Sequence, residues 1–215
     1  MPRVALQLHS LSGVEFGDDL VFPYDREKAR PLSAALPQDS LLVYEAHSTD
    51  YQSSQALGKM VEDHFAILKV GPWLTFAFRE AIFALSAMER ELLLGKKATR
   101  LSEVRQTLEN AMLRNPSYWR SYYHGNEAQQ SFARVYSYSD RCRYYWPVSE
   151  VQEEISRLLA NLENQVLPAT LVSQFLPLEY EDVRVGLHPA RPRDLIRLHI
   201  QTILRRYAKA CGHAN

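Results

Sequence analysis

Cysteine is scarce. Cys142 and Cys211 are the only two in 215 residues, far apart and without metal-ligand spacing. That excludes a structural zinc built on cysteines, and it fits a reducing cytoplasm better than a disulfide framework. An excess of charge of one sign is missing as well: 25 Lys and Arg face 25 Asp and Glu. No global field therefore draws the chain to nucleic acid or to an anionic membrane, and any partner must be recognised locally. No apolar run approaches the ~20 residues of a membrane span, and the N-terminus lacks a basic region followed by a long apolar core. Repeats and low-complexity tracts are absent too. The expectation is a soluble, cytoplasmic protein; its 46% hydrophobic and 23% charged residues suffice for a sizeable core.

Two compositional regimes meet near Gly95, predicting a βα domain over 1–95 and a helical one over 96–215. In the first, the apolar runs Val4 to Leu8, Leu41 to Ala46 and Ala66 to Val70 each lead through a polar or glycine-containing loop into a helical pattern. That is the rhythm of βα units around a parallel sheet. After the third run, Leu74, Phe78, Ala81, Ile82, Leu85, Met88 and Leu92 form one stripe, with Arg79, Ser86 and Arg90 off it. In the second regime helix signals dominate. Ser102 reads as a cap for the segment ending before Asn115-Pro116. Ser149 with Gln152 reads as a capping box ahead of Val151, Ile155, Leu158, Leu159 and Leu162. A last helix is expected from about Asp194 to Cys211, with Gly212 as its C-terminal cap.

The stretch "VYEAHST" begins at Val43, and strand alternation puts Val43, Glu45 and His47 on one face, as it does Ile67 and Lys69 on the next strand. If both faces share an interior, Glu45 and Lys69 can pair. Such a pair is either structural or the mark of a site where Lys69 meets an anionic substrate at a strand's carboxyl end. Glu45, His47 and Lys69 are thus the catalytic candidates. Lys69-Val70-Gly71-Pro72 runs into a helix start, whose N–H groups suit phosphate. Ser48, Thr49, Lys69 and Gly71 form the candidate phosphate and substrate set, although Thr49 with Gln52 also reads as a capping box. His47 could ligate a divalent metal, with His9 as a second imidazole and Glu15, Asp18 and Asp19 as nearby carboxylates. Two histidines fall short of the three protein ligands of a catalytic zinc, and an acidic loop between glycines is ordinarily solvated. His64, between Asp63 and Phe65, reads as a surface or helix-end residue.

Further on, "FARVYSYSDRCRYYWP" crowds Tyr136, Tyr138, Tyr144, Tyr145 and Trp146 beside Arg134, Arg141 and Arg143. Aromatics with arginines stack bases or anchor interfaces. Neutral overall charge favours a packed junction or a subunit contact, so Arg141, Arg143, Tyr144, Tyr145 and Trp146 are the candidate contact surface. Arg193, Arg197, Arg205 and Arg206 spread around the last helix and read as solvated.

"YEAHSTDYQ", "HFAILKVGPWLTFAFREAIFAL", "NPSYWRSYY", "YSYSDRCRYYWP" and "LLANL", in this order, resemble the non-catalytic subunit of class II D-tagatose-1,6-bisphosphate aldolase from about Gly13 to Cys211. The resemblance implies an α/β fold: the C-terminal part of a (β/α)8 TIM barrel, about three parallel strands, followed by an all-helical C-terminal extension. It implies an accessory subunit needed for stability and full activity of the aldolase catalytic subunit, in galactitol, N-acetylgalactosamine or tagatose breakdown. The zinc would belong to that partner. In the catalytic relatives three histidines at strand ends hold the metal. "EAHST" matches one histidine with its phosphate loop, so His47 survives, and "ILKVGP" matches the last strand and a second phosphate loop. Gly13 to Gly17 offers no histidine at the corresponding strand end, and His9 comes several residues early. A pocket shaped for a sugar phosphate, without a complete zinc site, is what the resemblance leaves. Cys142 stands where the family leads one to expect an aliphatic residue.

A complete barrel takes roughly 250 residues, and only three strands precede the helical part. A truncated or split family member is therefore expected, needing a second chain to complete its sheet. Two rivals stand beside it. One is a metal-dependent ketose-bisphosphate aldolase, a lyase with His47 on metal, Lys69 on phosphate and Glu45 as base. The other is a non-functional gene fragment. The name tagatose-6-phosphate kinase, used in older descriptions of the family, finds no glycine-rich nucleotide loop here.

Overall fold

The apolar runs form strands where expected. In the computed structural model, which describes residues 4–7 (backbone only), 14–36, 42–96 and 99–213, the chain opens with β1 (Val4–Gln7). A two-residue ribbon follows, β2 (Glu15–Phe16) against β3 (Val21–Phe22), then α1 (Arg26–Ala35), β4 (Leu42–Ala46), α2 (Ser54–Glu62), β5 (Phe65–Leu68) and α3 (Trp73–Leu93). β1, β4 and β5 make a parallel sheet in that order, with Gln7 opposite Glu45 and Glu45 opposite Ile67. The described strands do not close a barrel.

Alternation along β4 buries Tyr44 and Ala46, which pack with Ala29, Leu57, Met60 and Phe65. Val43, Glu45 and Ile67 lie on the other face, half-buried or exposed. Asp25 caps α1 by accepting from Glu27 N and Lys28 N. Tyr24 and Arg26 then reach the buried Asp63 at the end of α2, at 2.8 Å from Tyr24 Oη and 2.7 Å from Arg26 Nη2. His64 is exposed with φ 72° and turns the chain from α2 into β5, the helix-end position expected of it.

The second part is helical: α4 (Val104–Arg114), α5 (Glu127–Tyr136), α6 (Ser149–Glu163), α7 (Ala169–Phe175), α8 (Tyr180–Arg184) and α9 (Pro192–Ala210), with short 3-10 turns at Pro116–Tyr118 and Arg141–Tyr145. Its core gathers Leu85, Met88, Leu108, Met112, Leu158 and Leu195. Two compact units result, residues 1–74 with 203–215 and residues 75–202. The division falls inside α3 rather than at the compositional break near Gly95. Trp73 packs on Tyr51 and Tyr207 of the first unit, whereas Ile82, Leu85 and Met88 enter the core of the second.

Two expected caps are corrected. Ser102 donates its hydroxyl to Glu89, and Glu103 N is taken by Glu154 Oε2 at 2.8 Å. Ser149 begins α6 without capping it, and Gln152 Nε2 reaches Trp146 O at 2.7 Å. A side chain 13 residues away takes Ser102, and a backbone carbonyl six residues upstream takes Gln152. A reciprocal capping box does occur at Asn126 and Gln129, ahead of α5. Gly212 ends α9 as expected, with φ 77° and His213 N on Ala208 O at 2.8 Å. Among the described residues no helix is long and apolar enough to cross a membrane.

Candidate functional site

Glu45 is the centre of the cluster that alternation predicts. Its Oε1 lies 2.5 Å from Lys69 Nζ and 2.8 Å from His47 Nε2. The hydrogen bond to Lys69 holds the Glu45 carboxyl below the usual carboxylate range; burial opposes this and His47 adds to it. A carboxylate so stabilised is a weak proton acceptor, which counts against Glu45 as a general base. Glu45, His47 and Lys69 are thus brought together, on an open sheet face, as a mutually satisfied group.

The phosphate candidates differ in their partners. Thr49 is buried; its Oγ1 donates to Lys69 O at 2.7 Å and meets Tyr207 Oη at 3.0 Å, while Tyr207 Oη donates to Thr49 O at 3.0 Å. Burial pushes the Tyr207 phenol up, keeping it a neutral donor. Thr49 is therefore neither an anion ligand nor a cap. Ser53 caps α2, and Gln52 accepts from Tyr24 N and donates to Phe22 O, tying the β4–α2 loop to the segment before α1.

The start of α3 is taken by Asp50, a residue the sequence reading passed over. Asp50 is buried, and its Oδ1 accepts from Gly71 N at 2.8 Å and Trp73 N at 2.9 Å, with Oδ2 3.0 Å from Gly71 N. The free N–H groups and positive end of a helix attract an anion, and here the chain's own carboxylate supplies it. A Cβ at Gly71 would meet Asp50 Oδ2 at 3.3 Å, so the lack of a side chain permits the approach. Of the candidate set, Thr49 and Gly71 are thus committed to the fold. Ser48 sits half-buried at φ 54°, and Lys69 stays exposed beside Glu45.

No group of three or more His, Cys, Asp or Glu able to hold a metal occurs among the described residues. His47 Nε2 lies 2.8 Å from Glu45 Oε1. His9 lies outside the described residues. Glu15 and Asp19 are exposed on and beside the β2–β3 ribbon, with Asp18 half-buried between them.

The expected contact surface divides. Tyr145 and Trp146 are core residues, Tyr145 donating to Asn115 O and Trp146 meeting Phe78 edge-on at 5.2 Å, so their place in a contact surface is corrected. Arg141, Arg143 and Tyr144 remain accessible as a stack. Arg141 lies 3.5 Å over Tyr122, Arg143 4.5 Å over Tyr144, and Tyr118 stacks on Tyr144 at 5.0 Å.

Further polar groups are buried in the second unit. Arg79, off the apolar stripe of α3, is nevertheless buried and pairs with Asp140 at 2.7 Å. Asp140 also accepts from Thr75 Oγ1 at 2.6 Å and Cys142 Sγ at 3.3 Å. Burial pushes the Cys142 thiol up, which disfavours the reactive thiolate. Arg134 is buried between Glu109 and Glu127. His199 sits between two carboxylates, Nδ1 2.8 Å from Glu179 and Nε2 3.0 Å from Glu80. Burial lowers its pKa, but the two hydrogen-bonded carboxylates outweigh that and push it up to about 9.

These features define an α/β protein of parallel βα units followed by a helical unit, whose strand-end polar residues are largely bound to one another. The chain belongs to the D-tagatose-1,6-bisphosphate aldolase subunit GatZ/KbaZ-like family, whose model matches residues 3–212. Among solved structures it is similar to one described as a probable tagatose 6 phosphate kinase from Sinorhizobium meliloti 1021, at 41% identity and a TM-score of 0.90. The match covers 97% of this chain and 52% of that one, so the chain spans about half the length of its structural relative.

Proposed function

We propose that this chain serves as an accessory, non-catalytic subunit that binds and stabilises the catalytic subunit of a zinc-dependent D-tagatose-1,6-bisphosphate aldolase. The zinc and the chemistry reside on that partner. The observation that carries this reading is Asp50: a carboxylate fills the helix start where a substrate phosphate would have to sit. The Glu45–Lys69 pair supports it, because the lysine that would meet an anion already has one. Cytoplasmic breakdown of galactitol, N-acetylgalactosamine or tagatose is the setting.

The contribution is one of mass action, since a partner that binds only folded catalytic subunit shifts its folding equilibrium. The open face bearing Val43, Glu45 and Ile67 calls for further barrel strands, which a second chain can supply. Arg141, Arg143 and Tyr144 remain candidates for contact with the catalytic subunit. Co-expression tests the proposal. Soluble yield and specific activity of the catalytic subunit are expected to rise, and no gain in either overturns it. The isolated chain is expected not to cleave a ketose bisphosphate; turnover that disappears in His47→Ala would instead favour a lyase.

A further inference from the structure

The helical unit contains a cavity of 490 Å³ whose walls include Phe76, Phe83, Phe175 and Leu178, with Glu80 and His199 as polar members. It belongs to neither the Glu45 cluster nor the arginine and tyrosine stack. His199 is clamped between Glu179, 2.8 Å from Nδ1, and Glu80, 3.0 Å from Nε2. Arg79 also borders the cavity, but its guanidinium is matched by Asp140 and lies 4.1 Å over Phe76.

Of the two carboxylates on His199, Glu179 is fully buried, with Oε2 lacking a hydrogen-bond partner. Glu80 is 47% exposed, and its Oε1 has no partner among the described residues. The cavity therefore joins a largely apolar wall to one accessible, half-used carboxylate.

We propose that this cavity binds a small hydrophobic amine, with the ammonium on Glu80 and the apolar body against Phe83, Phe175 and Leu178. An ammonium donates a charge-assisted hydrogen bond to the Glu80 Oε1 left without a partner, an alcohol donates a weaker one, and a carboxylate has no donor to offer it. Aromatic faces favour a cation further.

Benzylamine is a suitable probe, titrated calorimetrically into the full chain near neutral pH. Saturable one-site binding is expected, with benzyl alcohol and benzoate at least about tenfold weaker. Glu80→Gln should weaken benzylamine by a similar factor and leave benzyl alcohol unchanged. Ala87→Trp, which puts an indole into the cavity wall, should abolish binding without loss of the circular-dichroism melt. Absence of saturable binding by the unmodified chain, or equal affinity for the alcohol, overturns the proposal. A lysine side chain from another protein offers the same chemistry. Nα-acetyl-lysine methylamide binding as tightly as benzylamine would overturn a small-molecule source.

Discussion

Asp50 and Arg79 show how single residues commit this chain to its structure. Asp50→Asn keeps a similar shape but removes the charge that faces the start of α3. Because hydrogen bonds to ionised groups contribute about 1.5–3 kcal/mol, the variant is expected to lose about 2 kcal/mol of stability in urea unfolding. Arg79→Met strands Asp140 in the core, and breaking a buried pair from one side costs about 3–5 kcal/mol. The double variant Arg79→Met/Asp140→Asn should recover part of that loss, as a double-mutant cycle would measure. Neither residue was legible in the sequence as a buried partner. Asp50 acts on backbone 21 and 23 residues away, and Arg79 on a side chain 61 residues away. Glu45 and Lys69, by contrast, were legible, because alternation on neighbouring parallel strands fixes which side chains share a face.

At the scale of elements, long periodic segments were read correctly and short or tertiary-determined features were not. The three parallel strands follow from their apolar runs, and the ends of α9 from its pattern and Gly212. The β2–β3 ribbon, two residues on each side, is too short to show a period. Ser102 and Gln152 had capping chemistry but found better acceptors in Glu89 and Trp146. His199 ties elements together, joining α9 to Glu80 on α3 and to Glu179 just before α8. Its folded pKa of about 9 lies above the ordinary 6.5. Its stabilising contribution is thus fully present below about pH 6.5 and is lost as pH rises through about 9. Melting temperatures measured from pH 6 to pH 10 should fall more steeply for the unmodified chain than for His199→Gln.

For the molecule as a whole, the sequence foretold a parallel sheet followed by helices. A closed barrel is not formed by the described strands. The unit boundary lies inside α3, between Leu74 and Thr75, which composition does not reveal. One consequence concerns the order in which the chain is made. Tyr207 completes the loop after β4 by bonding to Thr49, a partner 158 residues earlier, so the first compact unit is discontinuous in sequence. On the ribosome it must wait for the last helix to emerge, while residues 75–202 can fold ahead of it. Nascent chains stalled after residue 202 has left the exit tunnel, with residues 203–215 not yet outside, should show protease resistance in that middle stretch and cleavage within the first 74 residues, a difference that full-length release removes.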